Sequence, residues 1–289
     1  NNSGSNYSYT VASNFYSKST GNIETLSNWG TSADGSGTAP VNFTTAGVTY
    51  NIRNNATPTI GASWTVSGTS AKIVVGDGTN ACNFIVPSNY VVTSSNIEVS
   101  NAGKITRTSS AVNPFIVSGT FNILAGGTYV HNYANETLPF IIWASTANLN
   151  IDENLADDEF TESFGNVNIN GNSTVRMMTT TGNSSNTIQG NLTINSTGVV
   201  VATQTNTTNQ TLTINGNLTL TGNLNVVNID SQTQTDSVVT DKVLYLNVGG
   251  GASPNNSRVS VEKTAANVYI EYDSRWKFTN DGANVNNIL

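Results

Sequence analysis

"GNLTINSTGVVVA" at residues 190–202 is followed by "GNLTLTGNLNVV" at residues 216–227, and this pair decides the fold. Both segments begin with Gly-Asn and then alternate aliphatic and polar residues, and their starts are 26 residues apart. Three further segments begin in a similar way: "SNIEVSNAGKITR" from 95, "GTFNILAGGTYV" from 119 and "GNVNINGNSTVRM" from 165. The intervals between the five starts are 24, 46, 25 and 26 residues. If 46 is taken as two turns of 23, the sequence predicts a repeat of about 24 residues, which is typical of solenoids.

Each repeat has the alternation of a strand with one buried face. A second strand-like stretch lies upstream ("NPFIV" from 113, "NTIQ" from 186) and a third lies downstream ("TYVHN" from 128, "GVVVA" from 198). The chain is therefore predicted to be all-β, a single right-handed parallel β-helix with three short strands per coil and a cap at each end. The positions expected to face its core are Ile97, Val99, Phe121, Ile123, Val167, Ile169, Leu192, Ile194, Leu218 and Leu220.

Two other architectures compete with the parallel coil. Helical repeats are excluded because no segment outside "NLADDEFTES" (154–163) places helix-forming residues at helical spacing. An antiparallel sandwich or propeller stays open, since Asn170-Gly171 and Asn215-Gly216 match the two-residue turn of a hairpin. The corners of a parallel coil need the same residues, however, and the nearly constant period favours the parallel stack.

The scarcity of charge fits such a stack. Only 10% of the residues are charged, whereas Asn and Thr together supply about 85 residues. Equivalent residues of successive coils lie about 4.8 Å apart, so a ladder of identical charges would repel, while Asn and Thr ladders can form hydrogen bonds along the stack. The outward ladder is a candidate face for glycans or ordered water, although any charge-poor wall has this composition; it comprises Asn166, Asn168, Asn170, Asn191, Thr193, Asn195, Asn217, Thr219 and Thr221.

The overall composition excludes several classes of function. The net charge is −7 and the 11 Lys and Arg residues are scattered, which argues against nucleic-acid binding. The longest apolar runs, such as "PFIIWA" (139–144), are too short to span a membrane. One cysteine and one histidine rule out a disulfide framework and a Cys/His zinc site. The start "NNSGSNYSYT" has no initiator Met, so we interpret it as a mature chain after cleavage and expect an extracellular location.

Aromatic residues collect at the two ends of the chain, where a solenoid leaves open strand edges. We predict an N-terminal cap or docking segment at 1–45, the β-helix at 46–230, and divergent coils or a cap at 231–289. The aromatic residues either cap the chain's own ends or let subunits stack end to end into a fibre, in which case the partner is a second copy. The candidate subunit-interface residues are Tyr7, Tyr9, Phe15, Tyr16, Trp29, Tyr272, Trp276 and Phe278.

An acidic stretch interrupts the repeats between residues 152 and 162. Carboxylates at this density make Ca²⁺ the one cofactor to consider, but their spacing matches neither an EF-hand nor a nonapeptide calcium coil. A solvated, helical excursion is the favoured interpretation. The candidate ligands are Asp152, Glu153, Asp157, Asp158 and Glu159. Glu162 is the sixth acidic residue of the stretch. Asp34 and Asp77, in "SADGSGT" and "VGDGTN", are interpreted as turn residues.

The sequence gives little support for catalysis. His131 has no Ser or Cys partner motif, and a glycosidase would need two carboxylates facing one bond. Polysaccharide lyases with parallel coils pair a basic residue with acids, a place that Arg107 or Arg176 could take, but no motif supports it. We therefore predict a protein that is not an enzyme.

One segment resembles a known group of proteins. "FYSKSTGNIETLSNWGTSADGSGTAP" (15–40), followed by "VNFTTAGVTYNI" (41–52), is similar to the opening of large secreted surface proteins and adhesins of the Bacteroidota. The resemblance covers about 40 residues closely and implies export, commonly by the type IX pathway, a parallel β-helix and a surface or adhesive role, without catalytic residues. This chain departs from the pattern by lacking a recognisable C-terminal sorting domain.

From these observations we expect a non-catalytic extracellular structural or adhesive β-solenoid, with self-assembly into a surface fibre as a weaker hypothesis. The alternative is a β-helix protein that binds or degrades carbohydrate, with surface glycans as partners.

Overall fold

A computed structural model describes residues 13–111, 113–155, 162–173, 175–177, 185–195, 200–204, 211–220, 223–228, 235–240, 244–247, 258–263, 267–272 and 277–279. These residues form an all-β chain with one short 3-10 helix at Leu26–Asn28. The strands in chain order are β1 (Asn14–Ser17), β2 (Trp29–Gly30), β3 (Thr49–Ile52), β4 (Trp64–Val66), β5 (Lys72–Val75), β6 (Cys82–Ser88), β7 (Val92–Ser94), β8 (Asn96–Val99), β9 (Gly103–Ser109), β10 (Phe115–Val117), β11 (Phe121–Ile123), β12 (Thr128–His131), β13 (Ile142–Trp143), β14 (Asn148–Ile151), β15 (Asn166–Ile169), β16 (Val175–Arg176), β17 (Ser185–Ile188), β18 (Leu192–Ile194), β19 (Val200–Gln204), β20 (Thr211–Ile214), β21 (Leu218–Leu220), β22 (Asn223–Asn228), β23 (Thr235–Thr240), β24 (Leu244–Asn247), β25 (Arg258–Lys263), β26 (Asn267–Tyr272) and β27 (Lys277–Thr279).

The strands stack into the walls of a β-solenoid of about six turns with about 24 residues per turn. We name the walls by strand order: sheet I is β2-β1-β3-β5-β8-β11-β13, and sheet II is β6-β9-β12-β14-β15-β18-β21-β24-β27. Sheet III is β4-β7-β10, sheet IV is β16-β19-β22-β25 and sheet V is β17-β20-β23-β26. The predicted all-β parallel coil with three strands per turn is therefore confirmed.

Pairing between coils is in register, as the repeat requires. Leu192 pairs with Leu218 and Ile194 pairs with Leu220, and all the described strand pairs are parallel except β1–β2. The antiparallel sandwich or propeller is therefore wrong for the described strands. The inward positions of sheet II form a core column whose described members are fully or almost fully buried: Phe84, Ile105, Tyr129, Leu149, Val167, Leu192 and Leu218.

The phase of the predicted repeat needs one correction. Phe121 pairs with Ile97 in sheet I, whereas Val167 belongs to the sheet II column, so the aligned segments come from two different walls. The 46-residue interval is not two turns of 23. In sheet II the turns there are shorter, because Thr128 pairs with Asn148 and Asn148 pairs with Asn166, 20 and 18 residues apart. Both walls alternate in the same way, so the sequence pattern did not distinguish them.

The Gly-Asn at the start of the repeats is explained at a corner of the coil. The side-chain oxygen of Asn166 accepts the backbone N–H of Asn191 at 2.9 Å, and the side-chain oxygen of Asn191 accepts the N–H of Asn217 at 2.8 Å. A Cβ atom on Gly190 or Gly216 would overlap the asparagine amide of the coil below. Glycine is therefore required here for space.

The N-terminal end of the coil is closed by an antiparallel strand. In β1–β2, Tyr16 pairs with Gly30, and the fully buried Trp29 packs on Tyr50 and Trp64 with ring centroids 5.4 and 5.8 Å apart. The Trp29 indole N–H donates to the carbonyl of Ile23 at 2.7 Å. At the other end, parallel pairing continues past residue 230 as far as β27.

Candidate functional site

Two ionisable side chains lie inside the solenoid, in a second core column of sheet II. Arg107 and His131 are in register, between Val86 on one side and Ile151 on the other, and both are fully buried. The Arg107 guanidinium donates to the carbonyls of Thr137 (2.6 Å), Ala111 (2.7 Å) and Ser109 (3.3 Å), and Glu136 lies 3.6 Å away. Arg107 therefore ties together loops of neighbouring coils and is not placed to contact a polysaccharide from solvent.

His131 lies beside Arg107, and its imidazole is poorly supplied with hydrogen bonds. Neither imidazole nitrogen makes a hydrogen bond of normal geometry with the described residues. Burial and the Arg107 charge lower the pKa of His131 to about 4, although backbone groups of Asn154 and Tyr133 act in the opposite direction. His131 is therefore neutral at pH 7 and inaccessible to substrate.

The acidic stretch is only partly described. Asp157, Asp158 and Glu159 lie outside the described residues. The Asp152 carboxylate accepts a hydrogen bond from the Asn170 amide at 2.8 Å, and Glu153 is exposed. Among the described residues, no three His, Cys, Asp or Glu side chains form a group that could hold a metal ion. Calcium binding by the rest of the stretch stays a prediction.

Glu162 has a structural task at the point where sheet I ends. Its carboxylate accepts the backbone N–H of Ile141 at 3.1 Å and the indole N–H of Trp143 at 2.8 Å. Burial raises the pKa of Glu162, while these two hydrogen bonds lower it. The side chain thus occupies the edge of β13, where another strand would otherwise be expected to pair.

The candidate interface residues are distributed between the core and undescribed regions. Phe15 and Trp29 are buried in the chain's own N-terminal cap, and the Arg53 guanidinium lies 4.6 Å from the centre of the half-buried Tyr16 ring. Tyr272 and Phe278 lie on β26 and β27, for which the backbone pairing is described. The remaining candidates, Tyr7, Tyr9 and Trp276, lie outside the described residues.

Asp34 and Asp77 are turn residues, as expected. The Asp34 carboxylate accepts the backbone N–H of Ser36 at 2.9 Å. The Asp77 carboxylate accepts the N–H groups of Thr79 and Asn80 at 2.9 and 2.7 Å. Hydrogen bonds from Asn80 and Thr79 lower the pKa of Asp77 to about 2.

The outward face of sheet II carries the predicted asparagine ladder. Asn166 donates to Asn148 at 3.1 Å, Asn168 donates to Asn150 at 2.9 Å, and Asn170 donates to Asp152 as described above. The ladder amides therefore hydrogen-bond along the stack, which leaves fewer of their groups for an external ligand.

A polar groove lies at another corner of the coil, between sheet III and sheet I. Its volume is about 430 Å³ and its lining is uncharged. It spans three successive coils and is lined by Ser67, Thr69, Ser70, Ser95, Asn96, Ser118 and Gly119.

Sequence reasoning missed this groove and the exposed aromatic residue close to it. Phe140 is 79% exposed, although it lies in the apolar run "PFIIWA", which reads as core. One sequence feature could have indicated the groove. Ser, Thr or Gly recurs at the corners before the sheet I strands β5, β8 and β11, at 67–70, 94–95 and 118–119.

Comparison of the chain with known protein families, with curated protein sequences and with solved structures finds no match. Within the described residues, no helix has the length and hydrophobicity that crossing a membrane requires.

Proposed function

We propose that this chain is a non-catalytic structural and adhesive element that acts outside the cell. The observation that carries the proposal is the outer wall of sheet II, where the side chains of Asn166, Asn168 and Asn170 hydrogen-bond to the coil below. These hydrogen bonds link successive coils on the outside of the stack, and the aliphatic columns link them on the inside. Coils linked on both sides would form a stiff rod, as a structural spacer requires.

The distribution of charge supports the same function. Only 10% of the residues are charged, and Arg107 is used to hold loops inside the coil. The N-terminal cap around Trp29 also coincides with the segment that resembles secreted surface proteins. We leave fibre assembly out of the proposal, because sheet I ends at the antiparallel strand β2 and Trp29 is fully buried.

The test is complementation in cells that produce the chain. A deletion strain should attach less well to its natural surface, and the wild-type chain should restore attachment and be labelled by antibody on intact cells. Leu192→Asp, which puts a charge into the core column, should fail to restore attachment, whereas Thr193→Asp on the outward face should succeed. Labelling only after lysis, or unchanged attachment of the deletion strain, would reject the proposal.

Carbohydrate binding is the second candidate function, and the uncharged polar groove is the observation that favours it. Binding could operate together with the structural role, because the groove lies on a different corner from the asparagine ladder.

A further inference from the structure

The groove between sheets III and I has a rigid floor. Ser95 donates its hydroxyl to the Gly68 carbonyl at 2.8 Å, and the Asn96 amide nitrogen donates to the Ala71 carbonyl at 3.3 Å. The Asn96 side-chain oxygen accepts the backbone N–H of Thr120 from the next coil at 3.1 Å. The floor is therefore fixed before any ligand arrives, which lowers the entropy cost of binding.

The rim of the groove presents hydroxyl groups to solvent. Ser67, Thr69, Ser70 and Ser118 are all exposed, and their hydroxyls are not used in the hydrogen bonds that hold the floor. A hydroxyl both donates and accepts, so a row of hydroxyls matches a ligand that also presents many hydroxyls.

The surroundings of the groove are electrically neutral. The nearest ion pair on the outward face of sheet I joins Lys72 to Glu98 at 3.0 Å, and Lys72 is in register with the groove residue Asn96. Because these two charges compensate each other, the surface favours neither an anionic nor a cationic ligand.

An exposed aromatic side chain lies beside the groove. Asn122 is in register with Ile142, so Phe140 precedes its sheet I strand by as many residues as Thr120, which directly follows Gly119 of the groove, precedes Asn122 on the coil before. Phe140 is 79% exposed and Ile142, two residues later at the start of β13, is 49% exposed. An exposed aromatic ring offers a flat apolar face against which the apolar face of a sugar ring can pack.

We infer that the groove and Phe140 together bind a neutral carbohydrate chain that lies along the solenoid axis. The hydroxyl groups of the rim form hydrogen bonds with the equatorial hydroxyl groups of the sugars. The Phe140 ring packs against the apolar face of one sugar ring. Groove and ring extend over four coils, or about 14 Å at the spacing of stacked strands, which accommodates several sugars. The inference rests on the adhesive role proposed above and supplies its ligand class.

Affinity electrophoresis of the full chain tests this inference. Native gels would contain laminarin, yeast mannan or dextran as neutral probes, and alginate as the anionic comparison. At least one neutral polysaccharide should retard the wild-type chain. Phe140→Ala and Ser118→Lys should each weaken that retardation about tenfold. Thr193→Lys, which places the same charge on the asparagine-ladder wall, should bind like wild type. Circular dichroism should give the same spectrum for all variants, since all three side chains are partly or largely exposed.

Failure of all three neutral probes to retard the chain, or undiminished binding by both groove variants, would overturn the inference. Stronger retardation by alginate would overturn the neutral class. Loss of binding in Thr193→Lys alone would assign the ligand to the sheet II wall instead. A chain that is labelled on intact cells and supports attachment without binding these probes would keep the structural function and reject the groove.

Discussion

His131 lies directly over Arg107 in a core column that is otherwise aliphatic at Val86, Ile151, Ile169 and Ile194. Arg107 donates hydrogen bonds to three carbonyls, while neither nitrogen of His131 makes a hydrogen bond of normal geometry with the described residues. Protonating His131 would put a second positive charge next to a buried guanidinium. The column is therefore more stable while His131 is neutral.

The first prediction is a loss of stability in mild acid that depends on His131. Its pKa is about 4 in the folded chain, against an ordinary value of 6.5, so the unfolded chain binds more protons between these values. Stability should therefore fall as pH is lowered from 6.5 to 4, by up to about 3 kcal/mol. Urea unfolding at pH 7 and pH 4.5 measures this.

His131→Ile is the matched variant, because it continues the aliphatic column. It should be more stable than wild type at pH 7 by about 1 kcal/mol, since a buried imidazole without hydrogen bonds of normal geometry is replaced by an aliphatic side chain. His131 is the single histidine of the chain, so the difference between the two proteins isolates its titration. An identical pH dependence in wild type and variant would show that the buried pair is not the acid-sensitive element.

The second prediction concerns the carboxylate that covers the edge of β13. Glu162→Ala leaves the N–H groups of Ile141 and Trp143 without their acceptor, so the chain should lose about 1–3 kcal/mol of stability. Fluorescence of Trp143 should also change, because its indole loses a hydrogen bond. Glu153→Ala removes an exposed acid from the same acidic stretch and should change neither quantity. Equal effects of the two substitutions would contradict the assignment.

The alternation of the repeats was sufficient to predict which residues stack. Leu192 on Leu218 follows from it, because one face of each strand must be buried and the period brings equal positions together. His131 and Arg107 also occupy core positions of that alternation. Because polar residues are not expected in a core, the sequence pattern did not identify them as buried. The burial of Arg107 depends on carbonyls of distant loops, such as that of Thr137, which the local sequence pattern does not reveal.

The wall to which each repeat belongs could not be predicted. The lengths of the loops between strands determine the wall in which a strand lies. The coils that contain Asn148 and Asn166 have shorter loops, but the alternation within their strands is unchanged. The exposure of Phe140 was missed for a related reason, since an apolar run looks alike whether its strand lies inside a sheet or at its edge.

The third prediction tests why the outer wall of sheet II carries few charges. Asn168 donates to the Asn150 oxygen at 2.9 Å, so Asn150→Asp keeps an acceptor and should be nearly neutral in stability. Adding Asn168→Asp places two carboxylates on adjacent coils and should cost about 1 kcal/mol, less in high salt. Combining Asn150→Asp with Asn168→Lys should recover the loss. Equal stability of all these variants in low salt would mean that charge repulsion does not shape the wall.

The fourth prediction concerns the corner glycine of the repeat. Gly190→Ala would force its Cβ against the Asn166 side-chain oxygen, the same oxygen that accepts the Asn191 N–H. We expect a loss of about 1–3 kcal/mol, measured by urea unfolding. Asn166→Ala alone should cost about 1 kcal/mol through the lost hydrogen bond.

A double-mutant cycle separates this contact from a general effect of alanine at a corner. In the Asn166→Ala background the two nearest atoms, the Asn166 amide oxygen and Cγ, are removed and only the backbone N of residue 166 remains at 3.2 Å, so Gly190→Ala should cost clearly less than it does in wild type. Additive losses would mean that Gly190 is needed for a reason unrelated to the asparagine of the coil below. A coupling of about 1 kcal/mol would instead tie the Gly-Asn pair to one physical contact, repeated where Asn191 meets Gly216.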